Sequence, residues 1–211
     1  MKAEQLQFLI IFGKSGSGKS EILRCLSNKG EQVLDLERLA EHNGSAFGGL
    51  GGKQQPRQED FEAEIKNKLA SFRPARPVWV EYESNYLGRL QIPGSLKNEM
   101  SRAKLIVVNA PKERRVDRIV RTYSEYPISE LLDAVAKIKR KISPANYRQV
   151  KRSIEEGDYK TAVLLLLVYY DRIYENGLKR TTNPILTEIE ISGDSAEDDA
   201  EKILDSVRLA I

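Results

Sequence analysis

The sequence predicts a three-layer α/β fold with a mainly parallel five-stranded sheet, and three observations carry that expectation. Continuous apolar runs such as Leu9-Ile10-Ile11-Phe12 and Leu105-Ile106-Val107-Val108 fit strands buried on both faces. Helical patterns alternate with these runs, as βαβ crossovers require. The first run ends in Gly13-Lys14-Ser15-Gly16-Ser17-Gly18-Lys19-Ser20, which has the G-x-x-x-x-G-K-[ST] form of a Walker A phosphate loop set between strand and helix. The fold expected is P-loop NTPase-like.

The elements follow in order. The first strand covers 6–12, and a helix over 19–27 stops at Asn28-Lys29-Gly30. A second strand is read over 32–37 and a helix over 58–72. The third strand covers 77–83, after a proline-rich break, and a helix over 93–102 leads to the fourth strand at 104–109. A helix over 113–123 follows Ala110-Pro111. The fifth strand spans 184–192, and Ser195-Ala196-Glu197-Asp198 resembles the capping box of a last helix. Between the fourth and fifth strands lie about 75 residues, far more than a usual crossover. Helical patterns over 128–141, 144–155 and 159–174 make residues 124–180 a helical insertion or lid within a single domain covering 1–211.

Bulk properties bound the function. The chain has 211 residues, a net charge of +3 and one cysteine, Cys25, so it can form neither an intrachain disulfide nor a cysteine-based zinc site. Cys25 reads as a small buried hydrophobe of the P-loop helix. The opening Met1-Lys2-Ala3-Glu4-Gln5 is unlike a signal peptide, and the apolar run 162–170 is too short to span a bilayer. A cytoplasmic protein without membrane attachment is expected.

The phosphate loop explains its own residue types. Its glycines let backbone N–H groups turn inward around phosphate oxygens, and the following helix points its positive end at the same anion. Lys19 is expected on the β- or γ-phosphate and Ser20 on Mg²⁺. No N-K-x-D motif follows a late strand and no LSGGQ occurs, which argues against GTPases and transporter ATPases. The arrangement is closest to small-molecule kinases.

In that branch the third strand neighbours the first, which would put Glu81 beside the loop, holding Mg²⁺ partly through water or orienting a reacting group. Glu83 shares its strand face, and Asp35 and Glu37 end the second strand with the same spacing. Carboxylates at strand C-termini of a doubly wound sheet face the ligand crevice. The glycine-rich stretch 42–52 follows as a mobile substrate loop, and it carries His42, the only histidine, as a candidate for substrate contact or acid–base chemistry.

The second half is basic. Arg114, Arg118 and Arg121 fall on one helix face and can clamp phosphate. Lys137, Lys139, Arg140, Lys141, Arg148, Lys151 and Arg152, with Tyr147 among them, form either a solvated helix face or a track for an RNA backbone.

Taken together these stretches resemble one family. Residues 35–48, DLERLAEHNGSAFG, are similar to the D-L-E-x-L-A-x-H-R-G-S-x-F-G signature of tRNA 2-selenouridine synthases. Trp79-Val80-Glu81-Tyr82-Glu83-Ser84, then Leu87-Gly88 and Ile92-Pro93, resemble its W-V-E-x-E-S…I-G…I-P segment. The helix after Pro111, with Arg115 and Arg118, resembles its arginine helix, and Tyr169-Tyr170-Asp171 its Y-Y-D motif. Asn43 and Arg172 stand where the family has arginine and proline.

The resemblance implies replacement of sulfur by selenium at C2 of wobble 2-thiouridine in tRNA, through a geranylated intermediate, with selenophosphate as selenium donor. It implies a P-loop (Gly13 to Ser20, with Arg115 and Arg118) that binds geranyl diphosphate, ATP or GTP with Mg²⁺. Lys19, Asp35, Glu81 and His42 become the candidate catalytic residues. Glu37, Gly44, Ser45, Phe47 and Glu83 become the substrate loop, Phe47 covering the apolar chain. The family carries a rhodanese-like domain with a selenium-handling cysteine to which Cys25 does not correspond, so a separately encoded rhodanese-like subunit is expected. Two other readings share these features: a small-molecule or nucleoside kinase, and a non-catalytic subunit that binds tRNA and nucleotide.

Overall fold

A computed structural model describes residues 6–52 and 54–210. The reading of residues 1–5 as unlike a signal peptide lies outside them. The elements are β1 (Phe8–Gly13), α1 (Lys19–Asn28), β2 (Gln32–Leu34), α2 (Leu36–Ala40), α3 (Gln58–Ala70), β3 (Val78–Glu81), β4 (Tyr86–Leu87), β5 (Leu90–Gln91), α4 (Gly94–Met100), β6 (Lys104–Asn109), α5 (Lys112–Tyr123), α6 (Ile128–Lys137), α7 (Pro144–Glu155), α8 (Tyr159–Arg180), β7 (Ile185–Glu190) and α9 (Ala196–Ala210).

Five strands form one parallel sheet in the order β2-β3-β1-β6-β7. Strand β1 is central, and β3 pairs with it so that Glu81 lies opposite Ile11. The third predicted strand does neighbour the first. Alternation along the strands divides the core in two. Phe8, Ile10, Val78, Val80, Leu105 and Val107 face α3 and α4, whereas Leu9, Ile11, Trp79, Ile106 and Val108 face α1 and α9. With helices burying both faces, these strands read as unbroken apolar runs. The chain is an α/β protein of the P-loop NTPase type.

The three helices α6, α7 and α8 pack around a further core of Leu131, Val135, Ile138, Val150, Ile154 and Leu166. Helix α8 runs to Arg180, beyond the expected end at 174. It also packs on α5 through Val163, Leu167 and Val116, which fixes the insertion beside the P-loop. Among the described residues no helix is long and apolar enough to cross a membrane.

Two expectations need correction. The second strand ends at Leu34, not at 37, because the Asp35 carboxylate accepts the Arg38 N–H at 2.9 Å and caps a short helix instead. Glu37 therefore sits in the first turn of α2, not on a strand face with Asp35. The hairpin β4–β5 lies inside the stretch between the third strand and α4, where no element was expected.

Candidate active site

The site forms where β1 and β3 end. Strand β1 gives way at Gly13 to the phosphate loop, and α1 begins at Lys19. Gly16 has φ +79°, and a Cβ there would lie 2.7 Å from the Arg115 carbonyl, so no other residue fits. The first N–H groups of α1 are left to face an anion.

Opposite them three carboxylates converge. Oxygens of Glu37, Glu81 and Glu83 lie within 4.8 Å of one another. Lys19 Nζ is 3.2 Å from Glu81 Oε1. The Ser20 hydroxyl lies 3.1 Å from both Glu37 Oε2 and Glu81 Oε2, and donates its one proton to this pair. Burial, and then the charge of Glu81, push the Glu37 carboxyl up to about 8 and that of Glu83 up to about 9. Lys97 donates to the Glu83 carbonyl at 2.8 Å, and its ammonium is pushed down by its own burial. A hydroxyl and several carboxylate oxygens beside a phosphate loop are the donor set of a hard divalent cation, so Ser20, Glu81 and Glu37 can hold Mg²⁺.

These groups open into a cleft of about 820 Å³. It is lined by Ser15, Gly16, Gly18, Lys19 and Ser20 with the three glutamates and Asp35, and also by Ile119, Tyr123, Val163, Leu166, Leu167 and Tyr170. The apolar wall comes from α5 and α8. In the sequence it shows only as helical periodicity, which marks a buried face without saying what it faces.

The loop after α2 forms one side of the cleft. It closes on itself, with Asn43 N–H donating to the Gly48 carbonyl at 3.0 Å. Gly44 has φ +70°, and a Cβ there would lie 2.9 Å from Glu37 Oε1, so the loop backbone lies directly against the carboxylates. Ser45 and His42 also line the cleft. The His42 Nδ1 is buried without a hydrogen-bond partner among the described residues, and burial, then the charge of Lys137, push the imidazole below its ordinary range.

Other expected site residues lie elsewhere. Phe47 does not line the cleft. It is 4% exposed and stacks on Tyr123 with ring centroids 4.9 Å apart, because the loop needs an apolar anchor on the insertion. Arg115 is 3% exposed beneath the loop, donating to the Ser15 carbonyl at 3.1 Å and, in two-pronged fashion, to Asp171. Its position supports the loop from behind, where a phosphate does not reach. Lys14 turns to Glu175 at 3.2 Å, and Arg114 pairs with Asp194. Arg118 remains on the cleft wall, donating to the Gly16 and Gly193 carbonyls and paired with Glu21.

Comparison with known proteins bears on this geometry. Residues 6–137 match the family model described as the tRNA 2-selenouridine synthase AAA domain. The tRNA 2-selenouridine synthase of Nitrosomonas europaea is 34% identical over 145 residues, covering 67% of this chain and 36% of that protein. That of Marinobacter nauticus is 28% identical over 214 residues, covering 87% of this chain and 57% of that protein. The chain thus spans between 36% and 57% of the length of these two relatives. A shikimate kinase from Acinetobacter baumannii, solved in complex with shikimate, aligns with a TM-score of 0.46 at 17% identity, covering 98% of this chain and 95% of that one. By the match over 6–137, with its phosphate loop and carboxylate-bearing strand β3, the chain belongs to the tRNA 2-selenouridine synthase AAA-domain family.

Proposed function

We propose that this chain is the P-loop part of a transferase that converts wobble 2-thiouridine in tRNA to 2-selenouridine, and that its cleft binds geranyl diphosphate. The observation that carries this reading is the lining of one cleft, which includes both the phosphate loop and the apolar side chains of Ile119, Val163, Leu166 and Leu167. A prenyl chain gains about 25 cal/mol for each Å² of apolar surface it buries there.

In this reading the thiouridine sulfur attacks C1 of the prenyl chain, and the C–O bond breaks with its electron pair passing to the diphosphate. Lys19 and the loop N–H groups face the charge that grows there, which is where preorganised donors lower a barrier most. Ser20 and Glu81 would hold Mg²⁺, which would supply further positive charge to the leaving group. Glu37 and Glu83 complete the acidic side. His42, neutral and on the cleft wall, is placed to take the N3 proton that the alkylated base loses.

In the second step the selenium of selenophosphate attacks C2, the geranylthiolate leaves with the C–S electron pair, and water cleaves the P–Se bond to release phosphate and 2-selenouridine. Cys25 is a poor carrier for selenium, because burial and the neighbouring Glu197 push its thiol up. We therefore assign selenium handling to a rhodanese-like unit outside these residues. The test is geranylation of a 2-thiouridine tRNA by wild type and Lys19→Ala. The proposal expects a loss of roughly a hundredfold or more, and an unchanged rate would end it.

A further inference from the structure

The cleft explains a small ligand but not the grip on a large one. Residues 137–152 carry seven cations and no acid. They form the corner between α6 and α7, next to the cleft. Lys137, Lys139, Arg140, Lys141 and Arg148 are exposed, Lys151 is half-buried beside them, and no ion pair joins any of the six to a described acid. Only Arg152 is paired, with Glu156 at 2.8 Å. So dense a cluster of unpaired cations repels itself and destabilises the fold, which makes it a recognisable footprint of an anionic partner.

Three features narrow that partner. The corner packs on the loop beside the site: Phe47 and Leu50 share one apolar cluster with Ile138, Ile142 and Tyr147, and Glu130 at the start of the same helix accepts the Gly51 N–H at 2.9 Å. Lys139 lies over the Tyr147 ring at 5.5 Å, so a part-exposed aromatic is held within the basic surface. The corner has no apolar rim to enter a lipid layer, since Ile138 is buried and Ile142 half-buried. Cations in series with an interleaved aromatic match a nucleic-acid backbone with an unstacked base.

We propose that the α6–α7 corner is the surface by which this chain grips tRNA, its phosphates crossing Lys139, Arg140, Lys141, Arg148 and Lys151 so that the target base passes Lys137 and His42 into the cleft. This rests on the tRNA-modifying reading above and adds to it the surface and the direction of approach.

The test is binding of a labelled 2-thiouridine tRNA to the full chain across a series of salt concentrations. Wild type is compared with Lys139→Gln/Arg140→Gln/Lys141→Gln and with Lys66→Gln/Lys68→Gln on α3 as a control. Thermal melting and Mg²⁺–diphosphate binding check that each variant is folded with an intact cleft. The proposal expects the corner variant to bind roughly tenfold more weakly or worse near 0.1 M salt. The slope of log K against log salt should fall by about 2, some 0.7 per phosphate contact removed. The control and the diphosphate affinity should not change. Wild-type affinity and slope in the corner variant, or equal loss in the control, would overturn this surface while leaving the tRNA reading intact. Diphosphate binding without any tRNA binding by wild type would overturn both, as would binding to phosphatidylserine vesicles in place of tRNA.

Discussion

Arg115 and Asp171 form a two-pronged ion pair, both N···O distances 2.8 Å, that fastens the helix behind the phosphate loop to the long helix of the insertion. Arg115 also donates to the Ser15 carbonyl, so one guanidinium sets the loop and docks α8. Removing Asp171 would strand a buried cation, which costs roughly 3–5 kcal/mol. Asp171→Ala is expected to lower the urea midpoint sharply and weaken Mg²⁺–diphosphate binding. Asp171→Asn, which keeps one acceptor, should do less of both. Equal stability of wild type and Asp171→Ala in equilibrium unfolding would refute this role.

The carboxylate cluster predicts an unusual pH dependence. Glu83 titrates at about 9 in the folded chain against an ordinary 4.5, and Glu37 at about 8. Between these values the folded state holds protons that the unfolded chain has released. Metal-free stability therefore falls as pH rises from about 4.5 toward 9. Glu83→Gln removes one of the two groups. Its melting temperature is expected to fall less over that window and to exceed that of wild type at the alkaline end, by roughly 2–4 °C per kcal/mol recovered. Parallel melting curves for the two proteins across pH would contradict the assignment.

Phe47 anchors the glycine-rich loop by stacking on Tyr123. Phe47→Ala is expected to cost roughly 3–5 kcal/mol and to speed amide exchange over residues 42–51. Phe47→Leu, which keeps most of the apolar volume, should lie between. Unaltered exchange in the alanine variant would mean that the loop is held by something else.

Gly44 tests how close the loop lies to the acids. An alanine there meets both a positive φ and Glu37 Oε1 at 2.9 Å. Gly44→Ala is expected to displace Glu37 from Ser20 and reduce Mg²⁺-dependent diphosphate affinity severalfold, read by titration calorimetry, with α-helical content unchanged. An unaltered Mg²⁺ dependence would separate the loop from the metal site.

How far the sequence reveals this molecule depends on the range of the force at each position. The strand at 104–109 is legible to the residue because both its faces are buried and apolar. The phosphate loop is legible because its geometry is made by neighbours in sequence. Residues 32–37 mislead because QVLDLE alternates like a strand, whereas the Asp35 carboxylate closes a local bond to Arg38 that periodicity does not weigh. Phe47, Arg115 and Lys14 look like ligand contacts in sequence. Their partners Tyr123, Asp171 and Glu175 are distant in the chain, and only packing reveals them. The apolar wall escapes for the same reason: Val163, Leu166 and Leu167 have the spacing of an ordinary core helix.

A cleft that takes both a diphosphate and a prenyl chain is tested by calorimetric binding of geranyl diphosphate, inorganic diphosphate and ATP, each with Mg²⁺, to wild type and Lys19→Ala. Geranyl diphosphate is expected to bind at least about tenfold tighter than inorganic diphosphate, a difference of roughly 1.4 kcal/mol, and to lose most of its affinity in Lys19→Ala. Equal affinities for the two diphosphates, or preferred binding of ATP with turnover independent of tRNA, would contradict it.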